Sequence, residues 1–372
     1  MVARGQGPSG REAVGSVAVH TSAAHQSIST TAHQSMDGHH VNAMAGDRGS
    51  GEPARLADYD LPQGHFYDPD AEYEPDPEYA ATLAPDAARQ RRERVGPTGR
   101  PLPYFPIPGP LSDHGPAKII AMCNQKGGVG KTTSTINLGA ALAEYGRRVL
   151  LVDFDPQGAL SVGLGVNPME LDLTVYNLLM ERGMSADEVL LKTAVPNMDL
   201  LPSNIDLSAA EVQLVSEVAR ESTLQRALKP LLADYDYIVI DCQPSLGLLT
   251  VNALTAAHKV IVPLECEFFA LRGVALLTET IEKVQERLNP ELELDGILAT
   301  MYDSRTVHSR EVLARVVEAF DDHVYHTVIG RTVRFPETTV AGEPITTYAS
   351  NSVGAAAYRQ LAREVLARCH AE

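Results

Sequence analysis

The sequence predicts an α/β fold, doubly wound, with a mostly parallel sheet and helices on both faces, and three observations lead there. From Lys118 onward short apolar runs alternate with helix-length amphipathic ones, the rhythm of strand–helix–strand units. A glycine-rich turn, Asn124-Gln125-Lys126-Gly127-Gly128-Val129-Gly130-Lys131-Thr132-Thr133, joins the first strand-like run to the first helix-like one. Two apolar runs, Val149–Asp153 and Tyr237–Asp241, end in aspartate, and open parallel sheets bind ligands beyond the carboxyl ends of their strands.

Residues 1–116 precede this texture and read as an acidic, low-complexity tail. They are rich in Ser, Gly, His, Ala and Pro, show no sustained apolar period, and carry 9 basic and 15 acidic residues. Such a segment buries too little apolar surface to offset its ordering entropy. Tyr67 to Tyr79 spaces tyrosines among acids and prolines, as a solvated linker does. Leu102-Pro103-Tyr104-Phe105-Pro106-Ile107-Pro108 is expected to be stiff and extended, with its aromatics on the domain edge. Residues 117–372 form the folded domain. Strands are expected at Ile119–Asn124, Val149–Asp153, Met198–Leu201, Tyr237–Asp241, Lys259–Pro263, Gly296–Met301 and Tyr325–Ile329, all short and β-branched or aliphatic. Helices are expected at Lys131–Tyr145, Val175–Glu181, Ala209–Val215, Thr223–Leu232, Leu248–Ala256, Val274–Leu288, Arg310–Phe320 and Ala355–Arg368.

Composition narrows the function. The formal charge of the 372 residues is -17, so the chain does not coat nucleic acid by bulk charge, and any DNA contact needs a local basic patch. Cys123, Cys242, Cys266 and Cys369 have neither CxxC nor zinc spacing and read as thiols in a reducing cytosol. No apolar run reaches bilayer length, so a soluble, intracellular protein is expected.

The glycine turn is a phosphate cradle. Glycines let backbone N–H groups converge on phosphate oxygens, and the following helix adds the partial positive charge of its N-terminus. Lys131 then reaches the β/γ-phosphates and the Thr132 hydroxyl ligates Mg²⁺. The usual loop has glycine five residues before its Gly-Lys pair, whereas this one has Gln125 there, followed by Lys126. A second lysine is poorly explained by one cradle and makes sense if it serves a phosphate on another subunit. Asp241 ends a Walker B-like strand and is expected to hold Mg²⁺, directly or through water. Either Asp153 or Asp155 can orient or deprotonate the attacking water; spacing does not choose between them.

The deviant loop Lys-Gly-Gly-Val-Gly-Lys-Thr, the run Asp153-Phe154-Asp155-Pro156-Gln157-Gly158, Pro244 to Leu254, Ala270-Leu271 with Gly273, Thr300 to Asp303 and the closing Gly354-Ala355…Tyr358 helix resemble the ParA/Soj branch of the ParA/MinD group of P-loop ATPases, over Lys118 to Arg368. The resemblance implies an ATP- and Mg²⁺-dependent homodimer that slowly hydrolyses ATP, binds double-stranded DNA non-specifically, and partitions chromosomes or plasmids with a ParB-like partner. It implies a cytoplasmic, nucleoid-associated protein without stable membrane association; the alternative is a MinD-like positioning ATPase at the membrane or a cell-pole complex. By the same resemblance Lys126, Lys131 and Asp155 are catalytic, and Asp153 supports the metal beside Thr132 and Asp241. Gly127, Gly128, Val129, Gly130, Lys131, Thr132, Thr133, Met301 and Arg331 hold the nucleotide, and Arg305 and Arg334 meet DNA. Departures include Gln243 for a usual proline, Ala159 for a usual asparagine, Arg272 for a usual glutamate, and altered runs at Ile329–Arg334 and Glu337–Val340. These place an intact phosphate site beside a changed base pocket. An amidoligase would need a substrate constellation that the sequence does not display, and an iron–sulfur reductase a different cysteine placement.

Overall fold

In a computed structural model the chain is described at residues 95–267 and 270–370; the Tyr67–Tyr79 segment lies outside the described residues. Seven strands form one sheet in the order β3-β4-β2-β5-β1-β6-β7. They are β1 (Lys118–Met122), β2 (Val149–Phe154), β3 (Leu191–Lys192), β4 (Met198–Leu201), β5 (Tyr237–Cys242), β6 (Lys259–Glu265) and β7 (Glu293–Thr300). All neighbouring pairs are parallel except β3 with β4. The helices are α1 (Lys131–Glu144), α2 (Ala159–Gly163), α3 (Val175–Met180), α4 (Ala186–Val189), α5 (Leu207–Gln213), α6 (Thr223–Leu228), α7 (Leu248–Ala256), α8 (Ala270–Arg287), α9 (Val307–Phe320), α10 (Arg334–Ala341), α11 (Ile345–Tyr348) and α12 (Val353–His370).

Alternation along each strand feeds two cores. Ile119 and Ala121 of β1 join Leu150, Ile238 and Ile240 against residues of α3 and α5 to α9. Ile120 and Met122 join Leu151 and Val239 against α1 and α12. Each fully buried aliphatic side chain contributes about 1.5–3 kcal/mol, and burial on both faces explains why the strands read as continuous apolar runs rather than as alternating ones. None of the four cysteines is in a disulfide, and three of them are buried.

The expected doubly wound sheet is therefore the observed one, with one strand fewer on the ladder side than expected and one extra at the other edge. Tyr325–Ile329 is not a strand. It runs beside β7, and the N–H groups of Tyr325 and Ile329 donate to the carbonyls of Ile297 and Ala299. Between them the N–H groups of His326 and Thr327 turn away to the two carboxylate oxygens of Glu364, at 2.7 and 2.9 Å. That buried carboxylate, which also accepts from the Thr327 hydroxyl and from Arg368, takes the place of ladder bonds. Expected helices begin or end within a few residues of the observed ones, while α2, α4, α10 and α11, each of 4 to 8 residues, are too short to leave a period.

Residues 95–116, assigned by composition to the tail, are hydrogen-bonded to the sheet layer. Arg100 donates to the carbonyls of Asp321 and Val324, Arg147 to that of Gly109, and Asp236 accepts from the Gly115 and Arg148 N–H groups and meets His114 Nδ1 at 2.8 Å. Phe105 is half-buried, as expected for an edge aromatic, whereas Tyr104 is 69% exposed.

Removing the Glu364 carboxylate strands buried donors. Glu364→Ala should lower unfolding stability by about 2–4 kcal/mol in chemical denaturation; an unchanged midpoint would contradict the role given to it here.

Candidate functional site

β1 delivers the chain to the centre of the sheet, between β5 and β6, and the glycine loop turns there into α1. Asn124 fixes the departure: its amide donates to the Pro263 carbonyl at 2.7 Å, and its side-chain oxygen accepts from the Lys126 N–H at 2.9 Å. Thr300, at the end of β7, donates to the Val129 carbonyl at 2.9 Å. Gly130 precedes α1 with φ +84, a conformation that side chains disfavour, and provides no side-chain cap. The first-turn N–H groups of a 14-residue helix, uncapped by any side chain and with no acidic residue in the turn itself, suit an anion.

The two lysines differ in surroundings. Lys131 is 7% exposed, and its Nζ donates to the carbonyl of Lys126 at 3.1 Å, folded back over the loop. The Lys126 side chain is 45% exposed and donates to Glu265 at 3.1 Å and Glu267 at 2.6 Å. Partial burial works against its charge, but the hydrogen bonds to Glu267 and Glu265 prevail and hold its pKa above the ordinary value.

Register assembles the acids. Asp153 and Asp241 are direct partners across β2 and β5, and both are buried. The Thr132 hydroxyl donates to Asp241 at 2.6 Å, with the Thr135 hydroxyl at 3.4 Å on the other oxygen. Asp153 accepts from the N–H and hydroxyl of Ser161 at 2.8 and 2.7 Å, so it fastens α2 to the strand end. Burial, reinforced by the nearby Asp153 charge, pushes Asp241 up to about 8; burial pushes Asp153 up to about 6, against its bonds to Ser161. Two carboxylates held side by side in a dry setting suit a neutralising cation. Among the described residues no three His, Cys, Asp or Glu side chains gather as a metal cage. One or two carboxylates plus a hydroxyl suit Mg²⁺, which takes its remaining ligands from water and phosphate. Asp155 lies half-buried beyond β2, and its carboxylate accepts from the Gln157 N–H at 3.0 Å. It thus shapes the turn as well as standing near the strand ends.

A cavity of about 320 Å³ opens beside the start of α1, lined among others by Gly130, Thr133, Met301, Arg331, Phe335 and Tyr358. Met301 and Arg331, both expected at a base pocket, line it. Met301 adopts φ +51, a strained turn that hands the chain from β7 toward the cavity. Phe335 and Tyr358 meet edge to face at 5.8 Å. An apolar, aromatic-walled hollow adjoining an anion site fits a nucleotide base. Its aromatic walls escaped sequence reasoning because Phe335 and Tyr358 come from separate elements. Glu265 and Glu267 escaped too, although acids ending an apolar strand were the signal that exposed Asp153 and Asp241.

Arg305 and Arg334 stand apart from the loop on exposed surface, with side chains 87% and 54% exposed. Arg305 makes a two-pronged pair with Asp303 at 2.9 and 2.8 Å, and Arg334 pairs with Glu337 at 2.8 Å. Each guanidinium sits beside a neutralising carboxylate.

A family profile described as an AAA domain matches residues 117–294. Over 274 residues the chain is 69% identical to an uncharacterized protein, Rv1708, of Mycobacterium tuberculosis, covering 74% of this chain and 86% of the relative. It is 48% identical to the sporulation initiation inhibitor protein Soj of Bacillus subtilis, covering 67% of this chain and 98% of Soj. Among solved structures, a protein described as cobyrinic acid a,c-diamide synthase from Mycobacterium smegmatis, with bound ADP and magnesium, matches with TM-score 0.61 and 46% identity over 68% of this chain and 96% of its own.

Asp241's folded pKa lies above its unfolded value, so its ionisation opposes folding, and the ligand-free protein should lose stability as pH rises from about 4 toward about 8. In chelator and without nucleotide, Asp241→Asn should therefore stabilise the protein at pH 8, on the order of a few kcal/mol, with the gain vanishing near pH 4. A variant less stable than the parent at pH 8 would contradict this burial cost.

Proposed function

The chain belongs to the ParA/Soj family of partitioning ATPases, and from that premise we propose that it is an Mg²⁺- and ATP-dependent homodimerising ATPase. In this reading it binds duplex DNA without sequence preference and partitions or positions a chromosome or plasmid with a ParB-like partner, in the cytoplasm on the nucleoid. The ATPase domain is residues 117–372, with residues 95–116 hydrogen-bonded to it. The observation that carries the proposal is the unequal placement of two lysines on one loop: Lys131 buried at 7% by the anion site, Lys126 with a side chain 45% exposed.

In this reading the N–H groups of Gly127 to Thr133 receive the β- and γ-phosphates, and Lys131 leaves the Lys126 carbonyl for them. Bound Mg²⁺ neutralises charge on the phosphate oxygens during transfer. Thr132 and Asp241, already 2.6 Å apart, hold the metal's side of the site, and Asp153 supports it while keeping Ser161 and α2 in place. Asp155 orients the water. The base occupies the hollow lined by Met301 and Arg331. Lys126 extends to the triphosphate of a second copy, supplying positive charge in trans where other P-loop enzymes use an arginine finger. Arg305 and Arg334 meet DNA phosphates once freed from Asp303 and Glu337, which gives non-specific, salt-dependent affinity.

Other readings have less support. A membrane-positioning role would use the last helix as an anchor, yet Ala355, Tyr358, Leu361, Ala362, Val365 and Leu366 of α12 are buried in the core shared with α1. Among the described residues no helix is long and apolar enough to cross a membrane. An amide synthase, the description of the M. smegmatis relative, needs polar groups for a carboxylate substrate. Among the described residues, the only charged side chain lining the cavity beside the loop is Arg331.

Retention of duplex DNA in ATP and Mg²⁺ tests the reading. Wild type should bind, Lys131→Ala should not, and Asp155→Ala should bind persistently with hydrolysis blocked. Arg305→Glu should lose DNA by at least about tenfold while binding nucleotide normally, since phosphate contacts dominate such affinity. Equal retention by wild type and Arg305→Glu would remove that arginine's role; no ATP-dependent retention by wild type would remove the reading itself.

A further inference from the structure

The dimer reading assigns Lys126 to a neighbour's phosphates, yet in the single chain its ammonium is already engaged. It donates to Glu267 at 2.6 Å and to Glu265 at 3.1 Å. Glu265 is the enclosed member of the group, its side chain only 13% exposed, and its other oxygen accepts from Arg331 at 3.3 Å. Arg331 in turn lines the hollow beside the loop. Two cations and two carboxylates thus balance, and they tie the free lysine of the loop to the end of β6 and to the base cavity.

We propose that Glu265 and Glu267 are specificity-determining residues that hold Lys126 on its own chain and thereby make dimer closure depend on a triphosphate. The inference rests on the dimer reading above. Lys126 can leave only for a site more negative than the pair of carboxylates it abandons. A nucleoside triphosphate carries one phosphoryl group, and its negative charge, more than a diphosphate. The acids therefore raise the threshold for closure to a level that the longer ligand passes and the shorter one does not. Without them, closure with either nucleotide would begin at lower protein concentration, so that dimers would form in the diphosphate at concentrations where the restrained protein closes only on the triphosphate. A ligand has effect only through its different affinity for the two states, and here the carboxylates penalise the closed state equally for both nucleotides. The penalty is small, since partly exposed pairs are worth about 0.2–1 kcal/mol each, but small penalties decide an equilibrium poised near its midpoint. Glu267, with a side chain 54% exposed, can be altered without disturbing the core.

The test measures molar mass by light scattering, with Mg²⁺ and either a non-hydrolysable ATP analogue or ADP, for wild type, Glu265→Gln, Glu267→Gln, Lys126→Ala and Lys126→Ala/Glu267→Gln. Both Glu→Gln variants should dimerise at about threefold to tenfold lower protein concentration with the analogue and should form dimers in ADP where wild type stays single. The double variant should match Lys126→Ala. Fluorescent-ADP affinity of single chains of Glu267→Gln should stay within about twofold of wild type, and unchanged melting would show that the fold is intact. Glu→Gln variants that dimerise at wild-type concentrations, or less readily, overturn the proposal, as does an effect of Glu267→Gln that persists in the Lys126→Ala background. A wild type that never dimerises with the analogue instead overturns the dimer reading on which it rests.

Discussion

The parallel pairing of β1 with β5 and of β5 with β2 is the constraint from which the site follows. In that register Met122 lies opposite Asp241, and Asp241 opposite Asp153. The strand that launches the glycine loop is thereby flanked by the strand that ends in a buried acid, and the first turn of α1 sets Thr132 against that acid at 2.6 Å. A slip of one residue would turn Asp241 to the opposite face and separate these groups. The same register places two carboxylates side by side in an interior where ionisation is costly. A fold that accepts that cost without ligand gains most when a divalent cation arrives, so the site's electrostatics favour a loaded state over an empty one.

The loop then divides its two lysines by geometry alone. Lys131 stands at the start of α1 and is covered by the sheet, whereas Lys126 leaves β1 before the turn and is caught at the rim by the acids ending β6. Local charge pairing recurs: Lys126, Arg305, Arg331 and Arg334 each sit against a carboxylate, as befits a chain of formal charge -17. In the proposed reading, binding to an anionic partner is an exchange of carboxylate for phosphate, weaker but more switchable than binding by a free basic patch.

Much of this was legible in the sequence because the chemistry is local. The cradle, Thr132 and the strand-end acids announce themselves by position, and fully buried strands read as unbroken apolar runs. Tyr325–Ile329 misled because its β-like composition is genuine; only a glutamate on a distant helix, Glu364, diverts its N–H groups. The walls of the hollow were hidden for a related reason, since Phe335 and Tyr358 meet only after α10 and α12 have packed. Short helices such as α2, which opens at the glycine turn of Gly158, φ +63, and α11, which follows Pro344, have too few residues to show a period. The hold on Lys126 could not be read at all, because nothing in sequence says which way a long side chain at a loop's edge will turn.

The central claim is that Lys126 acts on another chain's triphosphate, and mixing two inactive variants tests it most directly. Lys126→Ala keeps its own nucleotide site but offers no crossing lysine; Lys131→Ala lacks a working site of its own but still presents Lys126. Each alone should fail to turn over ATP, and an equimolar mixture should recover turnover through composite sites. A mixture no more active than its separate components, or a Lys126→Ala protein as active as wild type, would contradict the account.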